Sequence, residues 1–594
     1  MPKHRLTVGE RTLDQGRTVL ELIVEAGGDL PAVCGGGGRC GRCLVQLTEG
    51  SLSPLTDAER SFPREEQMAQ GWRLACQARA DGKASIEWVT ETEARPGKGF
   101  AESGRDLPLQ PLVHRKSVRI PPSDPEDQRG DWERCAAALA IDDAPDYWSC
   151  LGLFGLPRDA ERADLLLAGG RLLGLAAPGR VLGAVFDIGT TTVVGGLVDL
   201  EDGDLLATRA AFNAQRIYGA DVLSRLGHAM QGPEFRGALQ ARIQGQLAAM
   251  LQGLLDDIGA GRDNLSDIVL VGNTAMEHLF FGLDVSGLSV LPFVPLHQHG
   301  FSVPAGVLGL PAHPGAQAYW APNLAGFVGA DTTAGIIALD LTRREGVNLL
   351  IDLGTNGELV LARAGRLWAC STAAGPAFEG AEISCGLPGL PGAIERVDFD
   401  TDLRIQTIGQ ATPRGLCGSG LIDAVAVCLD RGVVDTSGAM QMRREIPPVL
   451  APRVREGKTG LEFVLTSGGP SEVSLTQRDI RQVQLAKGAI AAGVRLLCEA
   501  AGVEPGEVDR VFLAGAFGQH VDAAKAGRIG LLPGIPIGRV KAVGNAAGEG
   551  ARLILTSLPC RAEAETLADK VKIVELAARP DFQMIFADEM MFPE

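Results

Sequence analysis

The pattern that most constrains the fold is a strand–turn–strand unit that occurs twice in the 594-residue chain. The run "VLGAVFDIGTTTVVGGLVDL" begins at Val181, and the run "NLLIDLGTNGELVLA" begins at Asn348. In each, an apolar strand leads into an Asp-x-Gly-Thr turn and a second apolar strand. Each unit is followed by a further apolar strand that ends in glycine, at Gly272 and at Gly515. This repetition predicts a gene-duplicated pair of α/β domains.

The two turns contain residue types that bind phosphate and magnesium. Glycine lets the backbone approach a phosphate, N–H groups and threonine hydroxyls bind its oxygens, and an aspartate at a strand end holds hydrated magnesium. Facing turns from two lobes would clamp a triphosphate across an interdomain cleft, with magnesium at Asp187 and Asp352. Tight hairpins that bind nothing are the alternative interpretation. The predicted nucleotide-binding residues of the turns are Asp187, Gly189, Thr190, Thr191, Thr192, Asp352, Gly354, Thr355 and Asn356.

A glycine-rich loop near the N-terminus, "CGGGGRCGRC", predicts a metal centre. It holds Cys34, Cys40 and Cys43, and Cys76 stands alone further along the chain. Thiolates select zinc, copper(I) or iron–sulfur clusters, and zinc sites usually bring two tight pairs of ligands. Three cysteines on one loop plus a distant fourth resemble a [2Fe–2S] ferredoxin, with the spacing of adrenodoxin-like ferredoxins. Glycine amides in the loop can point at the sulfurs. Structural zinc is the alternative.

The segments around this loop predict a β-grasp ferredoxin fold over residues 1–93. "HRLTV" and "GRTVLELIVEAG" indicate a hairpin and then a helix, and "ASIEWVT" indicates a closing strand. The dispersed cysteines are expected to be small buried apolar residues rather than ligands. They are Cys135, Cys150, Cys370, Cys385, Cys417, Cys428, Cys498 and Cys560.

Length, charge and hydropathy limit the remaining possibilities. A chain of 594 residues predicts two to four domains, and a net charge of −17 argues against a nucleic-acid-binding surface. The N-terminus has no apolar signal segment, and the longest apolar run is interrupted by Arg171 and Arg180. We therefore expect a cytoplasmic protein that does not enter a membrane, with its cysteines reduced.

Composition also divides the chain beyond the ferredoxin segment. Residues 94–131 are rich in proline, glycine and charge and are predicted to be a mobile linker. Residues 132–180 are predicted to be a small middle domain with a helix at "WERCAAALA". Residues 181–594 contain the duplicated units and are predicted to be one domain with lobes at 181–345 and 346–594.

The duplicated motifs resemble the ATPase superfamily of actin, sugar kinases, acetate kinase and the large heat-shock chaperones, which implies a ribonuclease-H-like fold in each lobe. In that likeness "DIGTTT" and "DLGTNGE" are the phosphate motifs, and "AGAFG", with Gly515 and Gly518, is the adenosine motif. "GNAAGEGA", with Gly544 and Asn545, is the final connecting helix. "GLCGSGLIDAVA" either lines the nucleotide or makes a glycine-mediated helix contact; its candidate residues are Gly418 and Gly420.

The whole order of segments resembles the reductive activators of corrinoid proteins. Further matches are "NAQRIYGADVLSRL", "FVGADTTAGI", "GPAFEGAEISCG" and "DIRQVQLAKGAIAAG". The resemblance implies an ATP-dependent reduction of inactive cobalt(II) to cobalt(I), with electrons passing through the [2Fe–2S] cluster. It implies a corrinoid protein of a methyltransferase system and an upstream electron donor as partners, and a homodimer. Activators with C-terminal [4Fe–4S] clusters are less similar, because "FADEMMFPE" has no cysteine.

Two acidic residues are candidates for catalysis in the cleft. Asp331 in "GADTTAG" and Glu358 in "GTNGE" are placed to act as a base or to orient water for ATP hydrolysis. A base of this kind is equally a feature of a small-molecule kinase fused to a redox domain. An ATP-binding redox sensor is the other alternative to a corrinoid activator.

Overall fold

The N-terminal segment forms a four-stranded sheet with a capped helix. The structure, a computed structural model, describes residues 3–8, 17–26, 30, 38, 43–60, 71–89, 100, 105, 107–120, 123, 125–157, 162–380, 382–442, 446–457, 460–467, 472–515 and 518–594. Strands β1 (Lys3–Val8), β2 (Leu44–Leu52), β3 (Trp72–Leu74) and β4 (Ala80–Val89) lie in the order β1-β4-β2-β3, with helices α1 (Val19–Glu25) and α2 (Asp57–Arg60).

Local sequence explains these elements. The Thr18 hydroxyl accepts a hydrogen bond from the Glu21 N–H while the Glu21 carboxylate accepts one from the Thr18 N–H, and this capping box begins α1. Apolar residues of α1, β2 and β4 form the core of the segment. The predicted closing strand corresponds to β4, whereas residues 9–16 of the predicted hairpin lie outside the described residues.

A small three-stranded domain follows. Strands β5 (Val113–Arg119), β6 (Arg162–Ala168) and β7 (Arg171–Leu175) form a sheet in that order, with helices α3 (Asp131–Leu139) and α4 (Tyr147–Gly152). Strand β5 lies inside the range predicted to be a linker, so that part of the prediction is corrected. The error has a physical cause: β5 is an edge strand, where the charged run of "VHRKSVR" stays at the surface while Val113 and Val118 are buried.

The first lobe is built on a six-stranded sheet. Its strands, in the order β10-β9-β8-β11-β13-β12, are β8 (Leu182–Ile188), β9 (Thr192–Asp199), β10 (Leu205–Phe212), β11 (Leu265–Gly272), β12 (Phe301–Pro304) and β13 (Gln317–Trp320). Its helices are α5 (Val222–Ala229), α6 (Pro233–Ile258), α7 (Thr274–Phe281) and α8 (Ala330–Ala338).

The second lobe repeats this plan with an insertion. The strands are β14 (Val347–Leu353), β15 (Gly357–Arg363), β16 (Arg366–Thr372), β17 (Ala393–Phe399), β18 (Leu403–Thr407), β19 (Gly415–Leu416), β20 (Val454–Gly457), β21 (Gly460–Thr466), β22 (Val473–Thr476), β23 (Arg510–Ala514), β24 (Val540–Gly544) and β25 (Val571–Ile573). The helices are α9 (Gly418–Asp430), α10 (Gln477–Ala501), α11 (Ala523–Arg528), α12 (Ala546–Thr556), α13 (Leu558–Glu565) and α14 (Phe582–Met590). The main sheet has the order β24-β23-β14-β15-β16-β25, and β17 to β22 form two small sheets inserted before β23.

The two lobes share one strand pattern, which confirms the predicted duplication. Strand β8 pairs antiparallel with β9 and parallel with β11, and β14 pairs antiparallel with β15 and parallel with β23. Asp187 and Asp352 lie at the carboxyl ends of the corresponding strands β8 and β14. Ligands of open α/β sheets bind beyond these strand ends, so the duplication places two aspartates at one cleft.

Helices α8 and α12 bring the C-terminal part of the chain onto the first lobe. A Cβ atom at Gly550 would lie 1.9 Å from the Ala334 carbonyl oxygen, so the two helices cross in direct backbone contact.

Of the dispersed cysteines, Cys385 is partly exposed, Cys150 is exposed, and the other six are buried as predicted. Among the residues that the structure describes, no helix combines the length and apolar character needed to cross a bilayer.

Candidate functional site

A cavity of about 450 Å³ lies where the two duplicated hairpins face each other. Most of the predicted nucleotide residues line it: Asp187, Gly189, Thr190, Thr191, Thr192, Asp331, Asp352, Gly354, Thr355, Asn356, Glu358, Gly418, Gly515 and Asn545. The predicted site is therefore one continuous space rather than two separate turns.

Three predicted glycines are not among the residues that line the cavity. A Cβ atom at Gly420 would lie 2.1 Å from the Ile394 carbonyl oxygen, so Gly420 allows helix α9 to pack on strand β17. This is the helix contact that the sequence left open. The Gly544 carbonyl accepts a hydrogen bond from the Gly515 N–H at 3.0 Å, and the Gly518 N–H donates to the Gly515 carbonyl at 3.1 Å. Backbone hydrogen bonds thus link Gly515 to both Gly518 and Gly544.

The two hairpins meet at a carboxylate that the sequence analysis did not assign. The hydroxyl oxygens of Thr191 and Thr355 lie 2.9 Å apart, and each lies within hydrogen-bonding distance of the same oxygen of Glu379, at 2.6 Å and 2.8 Å. Glu379 ends a short 3₁₀ helix, Pro376–Glu379, in the loop between β16 and β17. The first lobe thus contacts the second through hydroxyl groups that are suited to binding phosphate oxygens.

Several carboxylates share this cavity, and burial makes their ionisation unfavourable. Burial raises the pKa of Asp187 to about 7, of Asp331 to about 6 and of Asp352 to about 8. The charge of Asp331 raises the pKa values of Asp187 and Asp352 further. Burial also raises the pKa of Glu358 well above its usual range, and that of Glu379. A divalent cation would relieve this mutual repulsion.

The donor set fits magnesium held together with a phosphate. Magnesium keeps several waters and takes one or two carboxylates plus phosphate oxygens. Asp187 and Asp352 can supply those carboxylates from opposite lobes. Among the described residues, no group of three or more His, Cys, Asp or Glu side chains is arranged to bind a metal directly.

Two buried polar side chains hold the first hairpin in place. The Arg225 guanidinium donates to the Thr190 carbonyl at 2.6 Å, and the Asn213 amide donates to the Gly189 carbonyl at 2.8 Å. Burial lowers the pKa of Arg225 to about 9. Both residues come from "NAQRIYGADVLSRL", which the sequence analysis quoted only as a family match. The signal in the sequence was a set of polar residues within a segment that also carries buried apolar residues, and it could have assigned Asn213 and Arg225 to the support of the hairpin.

One residue from each of the two C-terminal motifs, "GNAAGEGA" and "AGAFG", lies next to one of the two cleft aspartates, Asp187 and Asp352. The Asn545 amide donates to Asp187 at 2.9 Å, and Asn545 also begins α12 by accepting from the Gly548 N–H at 2.7 Å. On the other side, Gly515 has φ of +91°, and a Cβ atom there would lie 2.7 Å from a carboxylate oxygen of Asp352. Only glycine allows this close approach.

Part of the predicted cluster site is also formed. The sulfur atoms of Cys43 and Cys76 lie 3.3 Å apart, close enough to bind one metal ion, and the Gln77 amide lies 3.8 Å from the Cys76 sulfur. Cys34 and Cys40 lie outside the described residues. The two described thiols fit an iron–sulfur cluster, whose remaining ligands the glycine loop would supply.

Comparison with known proteins agrees with this arrangement. A model of the 2Fe-2S iron-sulfur cluster binding domain matches residues 7–81, which include all four clustered cysteines. A model of the RACo middle region matches residues 182–344, and a model of the C-terminal ASKHA domain of RACo matches residues 346–594. The corrinoid activation enzyme RamQ of Eubacterium limosum is 32% identical over 608 residues, covering 98% of this chain and 97% of RamQ. The chain belongs to the RACo family of corrinoid activators.

Two further relatives agree with this membership. A solved structure titled "Reductive activator for corrinoid,iron-sulfur protein" is 32% identical, covers 99% of this chain and 96% of its own, and has a TM-score of 0.74. A [Co(II) methylated amine-specific corrinoid protein] reductase of Methanosarcina barkeri is 29% identical over 35% of this chain and 38% of its own. In this RACo-family chain, the region that the family model calls the middle is the first lobe, not the small domain of β5 to β7.

Proposed function

We propose that this protein uses ATP to reactivate a corrinoid protein by returning cobalt(II) to cobalt(I). The observation that carries the proposal is the combination of the Cys43–Cys76 thiol pair with the two-lobed cleft in a chain that aligns along its length with a corrinoid activation enzyme. The family membership gives the substrate class, and the two sites give separate roles for electrons and for ATP.

The N-terminal domain is the electron-carrying part. Cys34, Cys40, Cys43 and Cys76 would bind the [2Fe–2S] cluster, which supplies one electron at a time. Cys43 directly precedes β2 and Cys76 follows β3, and both belong to the buried core of this domain, which holds the two thiols in place. The electron comes from an upstream donor and reduces cobalt(II) of the partner to cobalt(I), so one electron enters and one leaves.

The cleft is the ATP-binding part. Thr191 and Thr355 would donate to phosphate oxygens, and Asp187 and Asp352 would hold hydrated magnesium between the lobes. Asp331 and Glu358 line the same space and are the candidates for orienting the attacking water. Because the contacts of Thr191, Thr355 and Glu379 join the two lobes, phosphate binding there must rearrange the inter-lobe contact.

ATP is needed because the electron transfer is uphill. For a one-electron couple, each ~59 mV of unfavourable potential lowers the equilibrium constant tenfold. A lobe movement driven by nucleotide can change the ligands around cobalt and so make its reduction easier. We further propose that the protein acts as a homodimer in the reducing cytoplasm, where thiolate ligands persist.

The test is a reduction assay with an oxidised corrinoid protein. We expect the absorbance of cobalt(I) to appear only with ATP, an electron donor and the full chain together. Asp187→Asn and Cys76→Ser should each abolish it, one through ATP and the other through the cluster. A phosphorylated small molecule in place of cobalt(I) would support a kinase, and neither product would support a redox sensor.

A further inference from the structure

The segment that leaves the ferredoxin-like domain is attached to the nucleotide-binding lobe. We call its described residues, Phe100, Arg105 and residues 107–110, the linker anchor. The Gln110 N–H donates to the Thr556 carbonyl at 2.9 Å, and the Gln110 carbonyl accepts from the Leu558 N–H at 2.8 Å. The anchor therefore runs along α12 and α13, although this part of the chain was predicted to be a free linker.

Arg105 fixes the middle of the anchor. Its guanidinium donates to the Ile337 carbonyl and to the Glu563 carboxylate, both at 3.1 Å, and its side chain is 8% exposed. Asp340 lies 3.4 Å away and adds a second negative charge. A buried, paired guanidinium of this kind is costly to displace, so the anchor has a defined position.

Phe100 fills a slot lined by two glycines. A Cβ atom at Gly196 on β9 would lie 2.7 Å from the Phe100 ring, and one at Gly548 on α12 would lie 2.4 Å from it. The backbone of Phe100 also forms a parallel bridge with Asn545. The ring thus occupies the space that side chains would otherwise take, directly against the first turn of α12.

The N-cap residue of α12, Asn545, contacts Asp187, which we propose to hold magnesium. The Gly548 N–H donates to the Asn545 side-chain oxygen, and the Asn545 amide donates to Asp187. The contacts run from Phe100 to Gly548, from Gly548 to Asn545, and from Asn545 to Asp187. Each link is a direct packing contact or a hydrogen bond.

We propose that Phe100 is a positioning residue of the nucleotide site, supplied from outside the ATPase domain. By packing on the first turn of α12 it holds Asn545 against Asp187, so that the cleft is complete only when the linker anchor is seated. The inference rests on the proposed ATP-binding function. Because coupling between sites is reciprocal, bound nucleotide should in turn hold the anchor more firmly.

The experiment measures ATP binding and turnover in full-length protein, without any corrinoid. Phe100→Ala should raise the Kd of a fluorescent ATP analogue and the KM for ATP by about tenfold, with kcat changed less than about twofold. Phe100→Leu should give an intermediate shift. The matched control is Phe154→Ala, because Phe154 is 91% exposed and should show neither effect.

A double-mutant cycle separates positioning from general destabilisation. Gly548→Ala should raise the Kd when Phe100 is present, because the new methyl group meets the ring. In the Phe100→Ala background the clash with the ring is absent and only the 3.0 Å contact of the new methyl group with the Asn545 amide nitrogen remains, so the same change should cost less and the two effects should be non-additive. An unchanged Kd in Phe100→Ala and Phe100→Leu, or additive effects in the cycle, would overturn the proposal.

The same variants separate a loss of folding from a loss of ATP binding. The melting temperature and the visible spectrum of the cluster should match the unmodified protein in Phe100→Leu, and that variant decides the question if Phe100→Ala does not fold. If the unmodified protein neither binds nor hydrolyses ATP, the proposed function fails. If it does both and the variants bind equally well, only the positioning role of Phe100 fails.

Discussion

The hydroxyl oxygens of Thr191 and Thr355 lie 2.9 Å apart, although 164 positions separate them in the chain. One belongs to each duplicated hairpin, and both contact Glu379. Each hydroxyl carries a single hydrogen, so when both donate to Glu379 the two threonine oxygens face each other as acceptors. A phosphate placed between the lobes would have to take over these donors.

Removing one of these hydroxyls should weaken ATP binding. Thr355→Val keeps the shape of the side chain but loses a donor to phosphate, and a hydrogen bond to a charged group contributes about 1.5–3 kcal/mol. We expect the KM for ATP to rise about tenfold or more. Steady-state ATPase kinetics would measure this, with Thr566→Val at an exposed position as the control. An unchanged KM would place the phosphates elsewhere.

Asp187 and Asp352 should lower the stability of the nucleotide-free protein while supporting the binding of magnesium–ATP. Above about pH 8, where both carboxylates are ionised, Asp187→Asn and Asp352→Asn remove a buried charge from a group of carboxylates, so the melting temperature without nucleotide should rise. The same changes should lower ATP turnover by about 10²-fold and abolish the rise in melting temperature that magnesium–ATP gives. Thermal-shift assays with and without magnesium–ATP would test both effects.

The cluster spectrum should be unaffected in these aspartate variants, because the cysteines lie in another domain. Asp569→Asn, in an exposed turn, is the control for general charge effects. Equal stabilisation by magnesium–ATP in the variants and the unmodified protein would remove the assignment of these carboxylates.

Loss of either cysteine of the Cys43–Cys76 pair should remove the cluster. Cys43→Ser and Cys76→Ser each take a thiolate from a pair whose sulfur atoms are 3.3 Å apart. We expect iron and acid-labile sulfide to fall well below two of each per chain, and the visible absorbance to be lost. Cys150→Ser, at an exposed position, should leave both unchanged. Stoichiometric zinc without iron in the unmodified protein would contradict the assignment.

Stability of the first lobe should depend on pH through Glu277. This glutamate on α7 is 0% exposed, accepts a hydrogen bond from Asn323 at 2.6 Å, and lies 3.5 Å from the His297 ring. Burial raises its pKa to about 8. The folded protein therefore keeps a proton that the unfolded chain releases, and stability should fall as the pH rises from about 4.5 to about 8.

The variant Glu277→Gln should not show this loss. Its free energy of unfolding relative to the unmodified protein should increase by at most about 1.4 kcal/mol per pH unit across that window. Melting temperatures between pH 5 and pH 8 would measure the difference, with the exposed Glu234→Gln as the control. Parallel pH curves for Glu277→Gln and the unmodified protein would show that Glu277 is ionised in the fold.

The sequence was sufficient to predict site residues that stand in a recognisable local pattern. Asp187 and Asp352 each follow an apolar strand and precede a glycine turn, and the doubled strand order brings them to one cavity. The spacing of the four clustered cysteines likewise predicted that Cys43 and Cys76 are ligands of one centre, and their sulfur atoms lie 3.3 Å apart. In each case the local pattern and the fold specify the same position.

Residues that act across long separations could not be placed in this way. Glu379 gains its role only because the loop that carries it meets a hairpin 188 positions earlier. Strand β5 was missed because its charged residues look like a linker until β6 pairs with it. Gly420 was a candidate for lining the nucleotide, but glycine is required there because the Ile394 carbonyl of the neighbouring strand leaves no room for a side chain.

The contact of α12 with α8 also has a consequence for synthesis of the protein. Apolar residues of α12 and α13 belong to the same buried cluster as strands β8 and β11. A chain that is still being translated therefore cannot close the core of its first lobe until nearly all of its second lobe has been made. During that interval the apolar face of α8 is open to water and to other chains, a state prone to aggregation. Translation speed and chaperone supply should thus matter more for the yield of this protein than for a chain whose lobes close one after the other.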